Sequence, residues 1–403
     1  MYDLIVIGGG AAGIFAAIEA KRQAPSKSIL LLEKSAVLLA KVRVSGGGRC
    51  NVTHHCFDPL LLSKNYPRGG KELLGLFYRF QPQDTVTWFE SRGVKLKTEN
   101  DGRMFPVTDS SETIISCLLF EAKKLGVEIR MRQNIQEIKK KEQGFLLQLK
   151  SEETLQTQAL LLAMGSSSQG YEWAKQWGHT IQKPIPSLFT FNVPSSPLHD
   201  LSGISVSEVE ISLMGTSLHQ RGPILITHFG FSGPAVIKLS AWGAKELFEK
   251  NYHTQICINW LPGFSYEKII SSLLKLKEEH PQKFLTSENL FYIPKNLWVK
   301  FLELLNFQRK IGDIPHKDLR LIAEKLHRDL YELNGKTTNK EEFVTCGGIS
   351  LREINFRTME SKICPHLYFS GEILDIDGIT GGFNFQNAWT TAFIAAQSIS
   401  KLL

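Results

Sequence analysis

The chain opens on four consecutive apolar positions, Leu4, Ile5, Val6 and Ile7, with no polar alternation. A short unbroken run of that kind predicts a strand buried on both faces, as in a parallel sheet. Gly8-Gly9-Gly10 follows, then an Ala-rich stretch, Ala11–Gln23, that predicts a helix stopped by Pro25-Ser26. A second apolar run, Ile29–Leu32, ends at Glu33. Strand, helix and strand make one β-α-β unit, with the right-handed crossover expected of it. Glycine loops recur at 46–48 and 69–70, and Asp109 with Glu112 predicts a capping box opening a helix through Lys124. Residues 127–131, 135–138, 145–149 and 155–163 predict successive strands, the last closing on Gly165-Ser166.

The pattern changes near Pro184-Ile185-Pro186. From about 189 to 261 the chain alternates between short apolar and polar stretches with many turn residues, which predicts a small, mainly β module. From about 266 to 333 the apolar period becomes 3.6: Ile269-Ile270, Leu273-Leu274, Leu276; then Leu297, Phe301, Leu304-Leu305; then Leu319, Ile322-Ala323, Leu326, Leu330. That predicts three or four helices. The C-terminal segment returns to a strand at 367–370, a glycine turn at Gly371 and a last helix over about 383–399.

Composition narrows the classes. With 403 residues, 42% hydrophobic and 22% charged, the chain can bury a sizeable core and is neither disordered nor fibrous. No apolar run approaches the roughly 18 residues of a membrane span, and the opening residues lack the layout of a signal peptide. The six cysteines are scattered without a C-x-x-C pair, which predicts neither a disulfide framework nor a zinc site. A reducing, cytoplasmic setting and no bound metal are expected. The net charge of +7 favours anionic ligands without by itself indicating nucleic acid.

Chemistry enters at Gly8-x-Gly10-x-x-Gly13, which sits between the first strand and the first helix. A lone G-x-G-x-x-G is a weak signal. Here an acid, Glu33, stands 20 positions past the last glycine (33 − 13 = 20), at the end of the second strand. Gly8 makes the turn, Gly10 lets backbone approach a pyrophosphate, and Gly13 lets helix and strand pack closely. The helix N-terminus offers free N–H groups to the phosphates, and Glu33 suits ribose hydroxyls while repelling a 2′-phosphate. The plain alternative is a glycine-rich structural turn. FAD and NAD share the AMP half, so this loop does not separate them. The far end favours FAD: Gly371-Glu372-x-x-Asp375 and a helix opened by Gly381-Gly382 suit the ribityl chain and the electron-rich edge of a flavin.

Six segments carry a resemblance: Ile7-Gly8-Gly9-Gly10-Ala11-Ala12-Gly13, Ser45-Gly46-Gly47-Gly48-Arg49-Cys50-Asn51, Asp101-Gly102-Arg103-Met104-Phe105-Pro106, Thr227-His228-Phe229-Gly230-Phe231-Ser232-Gly233-Pro234, Thr345-Cys346-Gly347-Gly348, and the stretch from Gly371 to Asn384. In them the chain resembles the bacterial aminoacetone-oxidase-like, or NAD(P)/FAD-dependent oxidoreductase, flavoproteins of the bile-acid-reductase type. The resemblance implies an α/β fold. A Rossmann-like FAD-binding domain would be discontinuous, over 1–188 and 341–403. A β-barrel-like insert would occupy 189–262 with about 334–345, and a helical insert 263–333. It also implies FAD contacts from Gly8, Gly10, Ala11, Ala12, Gly13, Glu33, Lys34, Ser45, Gly46, Gly47, Arg49, Cys50, Asn51, Ile135, Ala163, Met164, Gly165, Gly371, Glu372, Asp375, Gly381, Gly382, Phe383 and Asn384. The sequence departs from the family pattern where Ala163-Met164-Gly165-Ser166-Ser167-Ser168 leads to Gly170 by a shortened loop, and in the approach to Ser45 (Ala40-Lys41-Val42-Arg43-Val44).

Three residues are candidates for chemistry. Arg49 could offset phosphate or reduced-flavin charge. Cys50 beside it is either a redox thiol or an inert buried one. His228, in a Gly/Ser/Pro-rich loop, has a free pKa suited to proton transfer; its alternative is a histidine that holds a turn. The basic residues of the helical stretch are interleaved with acids and read as a solvated face rather than a nucleic-acid surface. The function expected is an FAD-dependent oxidoreductase acting on a small molecule. The alternatives are a flavoprotein that binds or modifies RNA, and a non-catalytic flavin binder. With one dinucleotide loop visible, NAD(P)H is expected only as a transient reductant that binds over the flavin.

Overall fold

The computed structural model describes residues 1–337 and 344–403, and the expected return of the chain near 341 lies outside them. The chain divides into two compact units. One comprises residues up to Pro186 together with the C-terminal segment; the other begins at Ser187 and, among the described residues, runs to Thr337.

The first unit is built on five parallel strands: β1 (Tyr2–Ile7), β2 (Ile29–Leu32), β3 (Glu128–Arg130), β4 (Thr154–Leu162) and β5 (Leu367–Phe369), in the order β3-β2-β1-β4-β5. The apolar runs are explained by cover on both faces: Leu4, Ile5, Val6, Leu30 and Leu31 are fully buried. On one face lies helix α1 (Ala11–Gln23), against the C-terminal helix Phe383–Leu402. Its small residues let the helices approach, and Phe15 fills the contact with Trp389 at 5.3 Å and Trp88 at 4.9 Å between ring centroids. Glu19 of α1 is fully buried and is satisfied by Arg22 at 2.6 Å and the Trp88 indole N–H at 2.8 Å.

Register aligns the strand ends. Ile7 pairs level with Leu32 on one side and Leu162 on the other, and Leu162 is level with Phe369. The loops after β1, β2, β4 and β5 therefore start from one row. The chain leaves β1 toward β2 and returns on the opposite side as β4. The carboxyl ends of β1 and β4 are thus the switch point at which open α/β sheets form a ligand-binding crevice.

The second unit holds a seven-stranded antiparallel sheet. Its edges are Asp329–Asn334 and Lys336–Thr337, consecutive in the chain and joined at Gly335. Gly335 N–H donates to the Tyr252 carbonyl at 2.9 Å, and its carbonyl accepts from Asn192 N–H at 3.1 Å. The sheet thus curls back on itself into a barrel outline. Helices Tyr266–Glu279, Lys295–Leu304 and His316–His327 pack on it around one shared core, in which Trp260 lies 5.4 Å from Phe301 and 6.3 Å from Phe231.

Two local expectations are corrected. The helix Ser111–Leu125 is capped by Ser110, whose hydroxyl accepts from Glu112 N–H, while Asp109 has a φ of 52° and pairs with Lys97 instead. Leu330, counted above in a helical period, lies in a strand and is 43% exposed, because the helix ends at His327 and the next residues pair with 253–258.

Candidate functional site

The loop after β1 is shaped by contacts that leave no room for side chains. A Cβ on Gly8 would lie 2.4 Å from the Ala163 carbonyl oxygen, and one on Gly13 would lie 1.9 Å from the Gly8 carbonyl oxygen. At Gly10 a Cβ would meet nothing within 4 Å. Gly8 and Gly13 are therefore required by packing, whereas no described residue requires a glycine at position 10. Gly10 is also the N-cap of α1. No side chain caps it, and no acid stands in the first turn, so the N–H groups from Ala11 and Ala12 onward and the helix's positive end face the crevice uncompensated. This is the arrangement that takes a phosphate.

Glu33 ends β2 and turns back onto the loop. Its carboxylate accepts from Gly9 N–H at 2.6 Å and from Ser35 N–H at 2.7 Å, fastening the glycine turn while remaining partly exposed. Lys34 beside it is exposed. After β4, Ala163 and Met164 form the floor under Gly8, and Gly165 approaches Glu372: a Cβ there would sit 3.5 Å from its carboxylate oxygen. After β5, Gly371 comes so near α1 that its Cβ would be 3.0 Å from that of Ala12. Glu372 accepts from Thr345 N–H at 3.0 Å, and Asp375 accepts from Gly347 N–H at 3.1 Å. The Tyr171 and Thr345 hydroxyls are buried without a hydrogen-bond partner, and Glu372 together with Asp375 helps burial push the Tyr171 phenol above its ordinary pKa. Unsatisfied polar groups on segments that flank one carboxylate fit a region that receives a polar ligand.

The Ser45–Asn51 loop is held from below by the 101–106 segment. A Cβ on Gly46 would lie 2.8 Å from the Phe105 ring, and the Arg49 guanidinium lies 4.0 Å over the same ring. Arg49 donates to Glu99 at 2.6 Å, so its charge is committed there, and that carboxylate raises the pKa of the guanidinium. Gly47 faces solvent, and the Ser45 hydroxyl donates to the Val42 carbonyl. Cys50 is fully buried at a φ of 62°, and burial pushes its thiol pKa up to about 12. That corrects the catalytic candidacy of Cys50: a thiol held protonated is the inert alternative. The Asn51 amide bridges the Thr53 carbonyl and the Gly382 N–H at 3.0 Å each. It thereby fixes the start of the C-terminal helix.

That helix start is fixed from several further sides. Tyr66 OH donates to the Phe383 carbonyl at 2.7 Å, His54 stacks on the Phe383 ring and bonds the Gly381 carbonyl, and the Asn384 amide spans both backbone groups of Gly378. Phe383 and Asn384 thus hold the segment in shape. Ile135 is buried, with its carbonyl taken by the Gln169 amide. His228 belongs to the second unit, exposed in the turn between strands His219–Thr227 and Gly230–Ser232. The sequence reading gave Phe105, Tyr171 and Lys41 no role; Phe105 alone stood within a recognised segment.

Residues 2–398 match the HI0933-like protein Rossmann domain. The chain belongs to the HI0933-like family. This is a family of FAD-binding oxidoreductase type, and the FAD-type Rossmann fold expected from the sequence is the fold found. A ribosomal RNA dihydrouridine synthase of Escherichia coli K12 is 30% identical over 414 residues, spanning 99% of this chain and 98% of its own. A 3-dehydro-bile acid delta(4,6)-reductase of Clostridium scindens is 26% identical, spanning 98% of each. The fold is also similar to that of a 3-ketosteroid-delta4-(5alpha)-dehydrogenase from Rhodococcus jostii RHA1, with a TM-score of 0.53 at 12% identity over 99% of this chain and 96% of that one. A flavocytochrome c3 fumarate reductase gives 0.51 at 18% identity, over 99% and 78%. Among the described residues no helix is long and apolar enough to cross a membrane.

Proposed function

We propose that this protein is an FAD-dependent reductase that saturates a C=C bond conjugated to a carbonyl, and that the substrate to test first is uridine in ribosomal RNA. The observation that carries the cofactor is the open N-terminus of α1: a cradle at Gly10 that a Cβ would occupy, flanked by loops level at the ends of β1, β2, β4 and β5. Gly8 to Gly13 and Glu33 would hold its AMP–diphosphate half, and Glu372 with the Gly381–Asn384 segment its flavin half. FAD, once reduced by two electrons, supplies a hydride to one carbon, and a proton completes the other.

The choice of reaction is supported by what the two relatives share. One name denotes saturation of the uracil ring of uridine, the other reduction of double bonds in a 3-oxo steroid. In both, the bond accepts a hydride because the adjacent carbonyl takes up the developing charge. RNA is favoured over a steroid-like enone by the higher identity and by a net charge of +7, which attracts a polyanion. The second reading, a small planar enone, rests on the bile-acid reductase. The reductant proposed is a nicotinamide dinucleotide that binds over the flavin.

The test is to incubate the purified FAD-bound protein and NADPH or NADH with ribosomal RNA lacking dihydrouridine, digest the RNA, and weigh the nucleosides. A uridine heavier by two hydrogens supports the RNA reading. Unchanged RNA, with reoxidation of the anaerobically reduced flavin by a cyclic enone, supports the second. Reoxidation by neither removes both.

A further inference from the structure

Lys41 was given no role by the sequence, yet the fold carries it to the mouth of the crevice. It stands in the first turn of the helix Ala40–Gly48, whose start is fastened to the glycine loop. Leu39 N–H donates to the Gly9 carbonyl at 2.8 Å, and a Cβ on Gly9 would collide with the Leu38 methyl at 2.4 Å. From there the Lys41 ammonium reaches the Glu372 carboxylate, 331 positions away in the chain. Glu372 follows Gly371, which packs against Ala12 in the first turn of α1, and it faces Gly165. The ion pair therefore joins the segment fastened to the glycine loop to the one that packs against the first turn of α1. The Lys41 side chain is 54% exposed and that of Glu372 19%, and an ion pair with one solvated partner contributes little to stability by itself. It is weakly held and free to exchange partners. The neighbouring Arg43 points elsewhere, toward Glu112.

Resting on the reading that the crevice takes FAD, we propose that Lys41 is a diphosphate clamp. When the dinucleotide enters, the ammonium would leave Glu372 for the diphosphate, whose two negative charges outweigh the single charge of the carboxylate and would be shared with the open end of α1. The Glu372 carboxylate is then released to accept a hydrogen bond from a hydroxyl of the ligand. Lys41 thus couples occupation of the diphosphate site to the availability of Glu372.

The experiment compares wild type with Lys41→Met and Lys41→Arg. Dissociation constants are measured for FAD by flavin fluorescence and for ADP, which carries the diphosphate without the flavin half, at low and high salt. Losing one charge-assisted contact to phosphate weakens binding about tenfold. Lys41→Met should therefore bind both FAD and ADP about tenfold more weakly at low salt and show a flatter salt dependence. Lys41→Arg should stay within about threefold of wild type. The melting temperature of the ligand-free variants should match wild type. Unchanged affinity and salt slope in Lys41→Met overturn the clamp, as does weaker FAD binding with ADP unaffected, which would show that Lys41 only supports the Glu372 loop. A melting temperature lowered in both variants would also assign a structural role and overturn it. If wild type itself binds no FAD, it is the FAD reading that fails.

Discussion

Gly10→Val and Gly13→Ala should separate two kinds of glycine in the same loop. At Gly13 an added methyl would sit 1.9 Å from a backbone oxygen. That oxygen cannot retreat, because Gly8 is itself bonded through its N–H to the Leu32 carbonyl at 2.9 Å and wedged against Ala163. Overpacking against backbone costs about 3 kcal/mol at the upper end of the usual range. In a unit of this size that lowers the melting temperature by roughly 6–12 °C. Gly10 has φ −84° and ψ −171°, extended backbone that valine adopts readily, with nothing within 4 Å of its Cβ. Its stability should therefore change by no more than about 0.5 kcal/mol. The valine would instead stand where the diphosphate approaches the N–H groups of α1. Losing two charge-assisted hydrogen bonds of about 1.5–3 kcal/mol each weakens FAD binding roughly a hundredfold to ten-thousandfold. Thermal melts of the ligand-free proteins and a fluorescence titration with FAD measure the two effects separately. If Gly10→Val retains FAD affinity within tenfold, or melts as low as Gly13→Ala, the division of roles is wrong.

Cys50, with its thiol pKa near 12, should resist iodoacetamide in the native protein at pH 8; its modification there, seen by peptide mass mapping, would contradict the buried assignment. The imidazole of His179 is fully buried between Glu353 and Ser361, and burial lowers its pKa below 6.5. The unfolded chain then binds the proton first, so stability holds above pH 6.5 and falls as pH drops through that value toward the folded pKa. Glu353, whose pKa is lowered from 4.5, acts only at lower pH. The urea midpoint of wild type should decline between pH 7.5 and 5.5, and His179→Gln should flatten that decline; a variant with the wild-type slope would assign it to other groups. In the second unit, Asp329 is buried and accepts from the Trp260 indole, Tyr331 and Lys325. Asp329→Ala leaves all three donors without their acceptor and should cost about 3–5 kcal/mol by chemical denaturation; a loss below about 1 kcal/mol would mean the network is dispensable.

The sequence alone determined the β-α-β unit and its glycine loop. Unbroken apolar runs at β1 and β2 require cover on both faces, and Gly8, Gly10 and Gly13 with Glu33 form a spacing that is legible along the chain, although Gly8 is held tight by the distant Ala163. The change of period near residue 266 likewise marked the helices before any contact was known. Tertiary structure decided the partners. Glu33 has turned onto the Gly9 N–H, Arg49 is spent on Glu99 and Phe105, and Asn51 is tied to Gly382. Leu330 faces outward because the strand at 253–259 captures the chain that the helical period would have continued. Cys50 is kept protonated by what surrounds it, and Lys41 finds its partner in a carboxylate 331 positions away. Periodicity and spacing report forces between neighbours in the chain. Burial and charge pairing depend on which distant segments the sheet order and register bring to the same edge.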